Sequence, residues 1–208
     1  VLLECLDNPK VDKVLSIGRS GTGVKHAKLV ELEHADFSSF SAVKAELNGY
    51  DACYYSMGVS AAGLKEADYT RLTYDYALSL AGTLHELNPE MTFIYVSGQG
   101  TDSTAKGRSM WARVKGKTEN DIMALGFRQS FMFRPGAIIP LRGITSSTKL
   151  YQFMYDYFMW LVKLIKFLAP NSVVNTTEIG QAMINATSNG YSQGIIDPKD
   201  ILILAKQN

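Results

Sequence analysis

In the segment SMWARVKGKTEN, Trp111 and Lys115 stand four residues apart, the spacing that places two side chains on one helix face a turn apart. An indole and an ammonium so placed can stack on a flat ring and donate hydrogen bonds to oxygen acceptors. They cannot cycle a proton through the aromatic member, because indole has one N–H donor and no accessible titration. No other catalytic set competes. His26, His34 and His85 lack metal-ligand spacing, no CxxC or HExxH occurs, and VSGQG lacks the serine of a GxSxG nucleophile elbow. No metal is expected.

The glycine-bearing stretch SIGRSGTG has two readings. In one, Gly18, Gly21 and Gly23 cradle phosphate after a first strand, with VKHAKLVELEHA as the helix behind them. In the other, KVLSIG is the second strand of a dinucleotide fold, and Arg19 and Ser20 lie where an adenosine ribose would rest. An acid there would bond a free 2′-hydroxyl, whereas arginine pairs with a 2′-phosphate. The apolar helix VLLECLD, ended by Asn8-Pro9, favours the second reading.

The elements that must position these residues alternate along the chain. KVLSIG, KLVELEHADF, DACYYSMG, MTFIYVSG and SFMFRPGAII read as strands. Between them, the pattern predicts helices from Ser38 or Ser39 through Leu47, over Ala67 to Leu87, and around Trp111 and Lys115 to near Gly126. This β-α-β order predicts an α/β fold with a doubly wound parallel sheet. The 208 residues suit a single domain, with 142–208 forming a small C-terminal cap on the substrate side. Twenty-one basic against 20 acidic residues, with no long run of either sign, argue against a nucleic-acid partner. Cys5 and Cys53 lie in apolar segments, as reduced thiols of a cytoplasmic protein would.

Lys149 to Leu168, KLYQFMYDYFMWLVKLIKFL, has the length of a bilayer span, but Lys149, Asp156, Lys163 and Lys166 make spanning costly. One apolar stripe is the expected core face. The second, Tyr151, Tyr155, Met159 and Val162, fits either packing within the monomer or a homodimer or membrane-surface contact.

Taken in order, IGRS, HADF, YYSMGVS, IYVSGQGTD, WARVKGKTE and FRPGAI resemble the atypical short-chain dehydrogenase/reductase superfamily, in its epimerase-like NAD(P)-binding Rossmann branch. The resemblance runs from Val1 to about Ala186. It implies that Arg19 and Ser20 hold the 2′-phosphate of NADP, in preference to NAD, with Gly18 also in the cofactor site, and that Asp36 and Phe37 flank the adenine. It implies that Met57, Gly58 and Val59 line the ribose and diphosphate, that Lys115 grips the nicotinamide ribose, and that Pro135, Gly136 and Ala137 back the nicotinamide. Ser97 looks like the serine that hydrogen-bonds the substrate oxygen, so Ser97, Trp111 and Lys115 form the implied catalytic set for a small-molecule substrate.

Two features depart from the family pattern. Trp111 replaces the tyrosine that moves a proton, leaving water or substrate to supply it; the alternative is a catalytically silent dinucleotide sensor or scaffold. The family's first strand and glycine turn are absent from the sequence, so about 15 further N-terminal residues are expected, a strand plus turn of usual length. On that expectation, the runs beginning at Lys13 and Asp51 do not pair directly with each other.

Overall fold

The protein is described by a computed structural model over residues 1–142 and 173–207. Helix α1 (Leu2–Asp7) leads into β1 (Val14–Gly18) and β2 (Leu29–Glu33), a 3-10 turn (Ser41–Leu47) and β3 (Ala52–Tyr55). Helices α2 (Glu66–Thr70) and α3 (Tyr76–Leu87) are continuous through one π turn at Arg71–Asp75. Then come β4 (Thr92–Val96), α4 (Met110–Ala124), β5 (Gln129–Phe133) and β6 (Ala137–Ile139). After the undescribed stretch follow β7 (Val173–Asn175), α5 (Thr176–Asn189), β8 (Ile195–Ile196) and α6 (Pro198–Leu204).

Every ladder is parallel, in the order β1-β2, β3-β4-β5-β8 and β6-β7. Strand β4 shows why its sequence is apolar throughout. Phe93 and Tyr95 pack with Leu80, Leu84 and Ile122, whereas Ile94 joins Val174, Ile179, Met183 and Ile196. Alternate side chains thus enter two different cores, and helices cover both faces. Leu15, Ile17 and Leu32 lean on the first core, so the β1-β2 ribbon shares it. As the sequence predicts, no ladder among the described residues joins β1 to β3.

Helix α3 ends at buried Asn88, whose carboxamide oxygen accepts from the Gly49 amide at 2.7 Å while its nitrogen donates to the Leu47 carbonyl at 2.9 Å. One side chain thereby pins the turn that launches β3. Asn175 and Glu178 start α5 with reciprocal capping bonds, each at 2.8 Å.

Of the two readings of SIGRSGTG, the one with a helix across VKHAKLVELEHA is excluded by strand β2, whose Leu29 pairs with Val14 as the strand reading of KLVELEHADF expects. Three expectations are corrected. The segment before Leu47 is 3-10 rather than α-helical. The fifth strand breaks at Arg134-Pro135, since proline offers no amide to a ladder, and β6 turns away to pair with β7. Of the expected C-terminal cap, the described part completes the sheet: β8 extends it beyond β5, and α5 and α6 bury the second core. The stripe at 149–168 lies outside the described residues, among which no helix is long and apolar enough to cross a membrane.

Candidate functional site at the carboxyl edge of the sheet

Parallel strands deliver their carboxyl ends to one edge, where ligands of open α/β sheets bind. Gly18, Arg19 and Ser20 leave β1 there, Met57, Gly58 and Val59 follow β3, Ser97 follows β4, and Pro135, Gly136 and Ala137 follow β5. Of these, Arg19, Ser20, Gly58, Val59 and Ala137 are exposed, while Met57 is half-buried against the core.

Helix α4 brings Lys115 to this edge. Its ammonium donates to the Ser97 carbonyl. Burial pushes its pKa below the ordinary lysine value, with Glu119 one turn on working in the opposite direction. Gly98 has φ 154°, and a Cβ built there would lie 4.0 Å from the Lys115 nitrogen. Trp111, one turn earlier, lays its indole against Gly100, with Cη2 3.4 Å from where a Cβ would stand.

Ser97 is placed differently from the role its resemblance implies. Its hydroxyl is buried and donates at 2.5 Å to Glu119 Oε1. A hydroxyl has one proton, so this bond excludes simultaneous donation to a substrate oxygen. Glu119 is completely buried, and Arg134 meets both its oxygens, through Nε at 3.0 Å and through Nη2. Arg134 Nη2 also donates to Ser103 Oγ at 2.6 Å. Sequence reasoning missed this network. The one available sign was an acid four residues after a motif lysine, with an arginine closing the next strand.

The same network anchors the loop between β4 and α4. The Asp102 amide donates to the Ala112 carbonyl, and Asp102 Oδ2 accepts from the Gly107 amide at 2.7 Å. The Thr104 hydroxyl, then the Gly107 amide, hold the Asp102 carboxyl below the usual carboxylate range. Gly116 makes this close approach possible, because a Cβ there would fall 1.7 Å from the Asp102 carbonyl oxygen.

At the other end of the edge, the Gly21 amide donates to Glu33 Oε1 at 3.1 Å and the Thr22 amide to Glu31 Oε1 at 2.5 Å. Phe37 is buried with Phe40 and Tyr76, so its ring is unavailable for stacking on a purine and only its main chain remains for that role. Asp36 accepts from the amide and hydroxyl of Ser38. Arg142 pairs with Glu4 at 3.1 Å and Asp7 at 2.8 Å on α1.

The Gly21 and Thr22 amides after β1 are already taken by the Glu33 and Glu31 carboxylates. Arg19 stands beside them and Lys115 brings its ammonium to Gly98, two cations of the kind that hold phosphate and ribose oxygens.

The fold is that of the epimerase-like short-chain dehydrogenase/reductases. UDP-N-acetylglucosamine 4-epimerase from Bacillus cereus superposes with a TM-score of 0.61 at 12% identity, over 93% of this chain and 72% of that one. Bordetella bronchiseptica WbmH in complex with NAD+ gives 0.60 at 13% identity, over 89% and 66%. RMD from Pseudomonas aeruginosa, complexed with NADPH, gives 0.54 at 16% identity, over 84% and 69%. In sequence, the chain is 27% identical to protein FMP52-2, mitochondrial, from Scheffersomyces stipitis, over 94% of its own length and 84% of the relative's. Relatives from Emericella nidulans and Candida albicans carry the same mitochondrial designation, which overturns the expectation of a cytoplasmic protein. No protein-family model matches the chain.

Proposed function

We propose that this chain binds a nicotinamide dinucleotide, with NADP preferred, and acts in mitochondria as an oxidoreductase or epimerase-like enzyme on a small carbonyl or alcohol. The observation that carries this reading is Lys115: a part-buried ammonium at the end of β4, bonded to the Ser97 carbonyl and lying beside Gly98. Arg19 and Ser20 would receive the 2′-phosphate, with Asp36 and the main chain of Phe37 beside the adenine. Met57, Gly58 and Val59 would line the ribose and diphosphate, and Pro135, Gly136 and Ala137 the nicotinamide. The bound dinucleotide would supply or accept the hydride. Trp111 orients the ring or substrate by stacking, while Ser97 acts through its carbonyl on Lys115.

Trp111 favours a second reading, a dinucleotide sensor or scaffold without turnover, because an indole moves no proton. The experiment is a pair of titrations with NADPH and NADH followed by tryptophan fluorescence, repeated with Lys115→Met and Arg19→Ala. Binding weakened by the first substitution, and an NADPH preference reduced by the second, support the site. Absence of binding by either dinucleotide overturns it. Trp111→Tyr separates the two readings. If carbonyl reduction appears only in that variant, with NADPH bound equally well, the wild type is the sensor; wild-type reduction makes it the enzyme.

A further inference from the structure

We propose that Glu31 and Glu33 on β2 determine cofactor discrimination at the adenosine end, by shaping the loop that carries Arg19 while setting negative charge against a 2′-phosphate. The inference rests on the dinucleotide lying along this edge, as proposed above.

Glu33 Oε1 accepts from Gly21 at 3.1 Å, and Glu31 Oε1 from Thr22 at 2.5 Å. Gly21 lies between the two side chains: a Cβ there would meet Glu31 Oε2 at 3.5 Å, Glu33 Oε1 at 3.6 Å and Glu31 Oε1 at 3.7 Å. The Thr22 amide, then the Thr22 hydroxyl, hold the Glu31 carboxyl below the usual carboxylate range, so it is ionised at neutral pH. Arg19 is the one cation between Gly18 and Gly23, two residues before the amide that Glu33 holds.

The pair has two opposed effects. As acceptors, the carboxylates fix loop amides that would otherwise move, and this ordering helps any adenosine, phosphorylated or not. As charges, they repel a 2′-phosphate and leave a 2′-hydroxyl almost unaffected. Glutamine separates the two effects, because its carbonyl oxygen still accepts from the amide but carries no charge. Unit charges several ångströms apart at a solvated surface interact weakly, and physiological salt damps them further. The two carboxylates together should therefore shift affinity for a doubly charged phosphate by only about fivefold.

The test measures dissociation constants of NADPH and NADH for the wild type, Glu31→Gln/Glu33→Gln and Glu31→Ala/Glu33→Ala, at low and at high salt. The glutamine pair should raise NADPH affinity about fivefold with NADH affinity unchanged. In the wild type, the preference for NADPH over NADH should change less steeply with salt than in the glutamine pair, because repulsion by the carboxylates offsets part of the attraction by Arg19. The alanine pair should weaken NADH through the loosened loop, and NADPH about fivefold less than NADH, because the repelling charges are gone as well. An unchanged NADPH-to-NADH ratio in the glutamine pair, with both dinucleotides bound, overturns the inference but leaves the proposed site standing. Failure of the wild type to bind either dinucleotide defeats the proposed site itself.

Discussion

Gly116→Ala sets two physical effects against each other. Alanine is favoured over glycine in a helix interior by about 1 kcal/mol, so propensity alone makes the variant more stable. The structure puts the new methyl 1.7 Å from the Asp102 carbonyl oxygen and 2.5 Å from its carbon. The obstacle is backbone, so no side chain can swing aside, and the loop must retreat by roughly 1.5 Å to restore ordinary contact. That movement stretches the bond from the Asp102 amide to the Ala112 carbonyl, now 3.1 Å, and the 2.9 Å bond from Asn120 Nδ2 to the Ser103 carbonyl. Two lost hydrogen bonds at about 1 kcal/mol each, with overpacking of about 1–3 kcal/mol, outweigh the propensity gain by about 2–4 kcal/mol. For a chain of this size the melting temperature should fall by roughly 4–16 °C, read from thermal and urea unfolding. Dinucleotide affinity should fall with it, because the retreating loop carries Gly98 and Gly100. Gly82→Ala in α3 is the internal control: nothing lies within 4 Å of its new methyl, so that variant should gain up to about 1 kcal/mol. A Gly116→Ala protein as stable as the Gly82→Ala protein would refute the close contact on which the site's geometry depends.

Three further outcomes are expected. Glu119→Gln and Arg134→Met should each lower stability by about 3–5 kcal/mol, because each leaves a buried charge without its partner. The double variant Glu119→Leu/Arg134→Met should recover most of that loss in urea unfolding, and strictly additive losses would refute the pairing. The buried Tyr55 hydroxyl has no hydrogen-bond partner among the described residues, so Tyr55→Phe should be neutral or stabilising by up to about 1 kcal/mol; Tyr54→Phe, which loses a 3.0 Å bond to Thr187, should lose about 1 kcal/mol. Burial pushes the Cys5 thiol up to about 11 and the Cys53 thiol up to about 12, so both should resist thiol reagents at pH 8 until the chain is unfolded. Their linkage has a definite sign: the unfolded thiols ionise first, so stability from these groups should fall as pH rises from about 9 towards 11.

The order of strands and helices was legible because each needed only local information. Period-two burial, a glycine or Asn-Pro stop, and a four-residue helical offset all lie within one short window of sequence. The edge that gathers the candidate residues followed from the same information, since parallel strands must end on one edge. Ser97 shows where such reading stops. Its position after β4 was correct, yet the direction of its hydroxyl depends on Glu119, twenty-two residues away, and on Arg134 a strand further on. The glutamates of β2 are similar: an alternating strand with polar outward residues reads as ordinary surface until the loop after β1 folds back onto it.

Gly116 shows how a local anomaly can report a distant contact. A glycine in mid-helix lowers propensity without local compensation, so its presence signals that something must approach the backbone there. The sequence cannot say what approaches. The structure supplies it as Asp102, and the consequence is mechanical: Lys115 donates to the Ser97 carbonyl from one side of the β4–α4 loop, while Gly116, the next residue on α4, receives that loop from the other. Adjacent positions on one helix thus hold both ends of the segment bearing Gly98 and Gly100. Substitution at either end should therefore disturb dinucleotide contacts even where the altered residue touches no ligand.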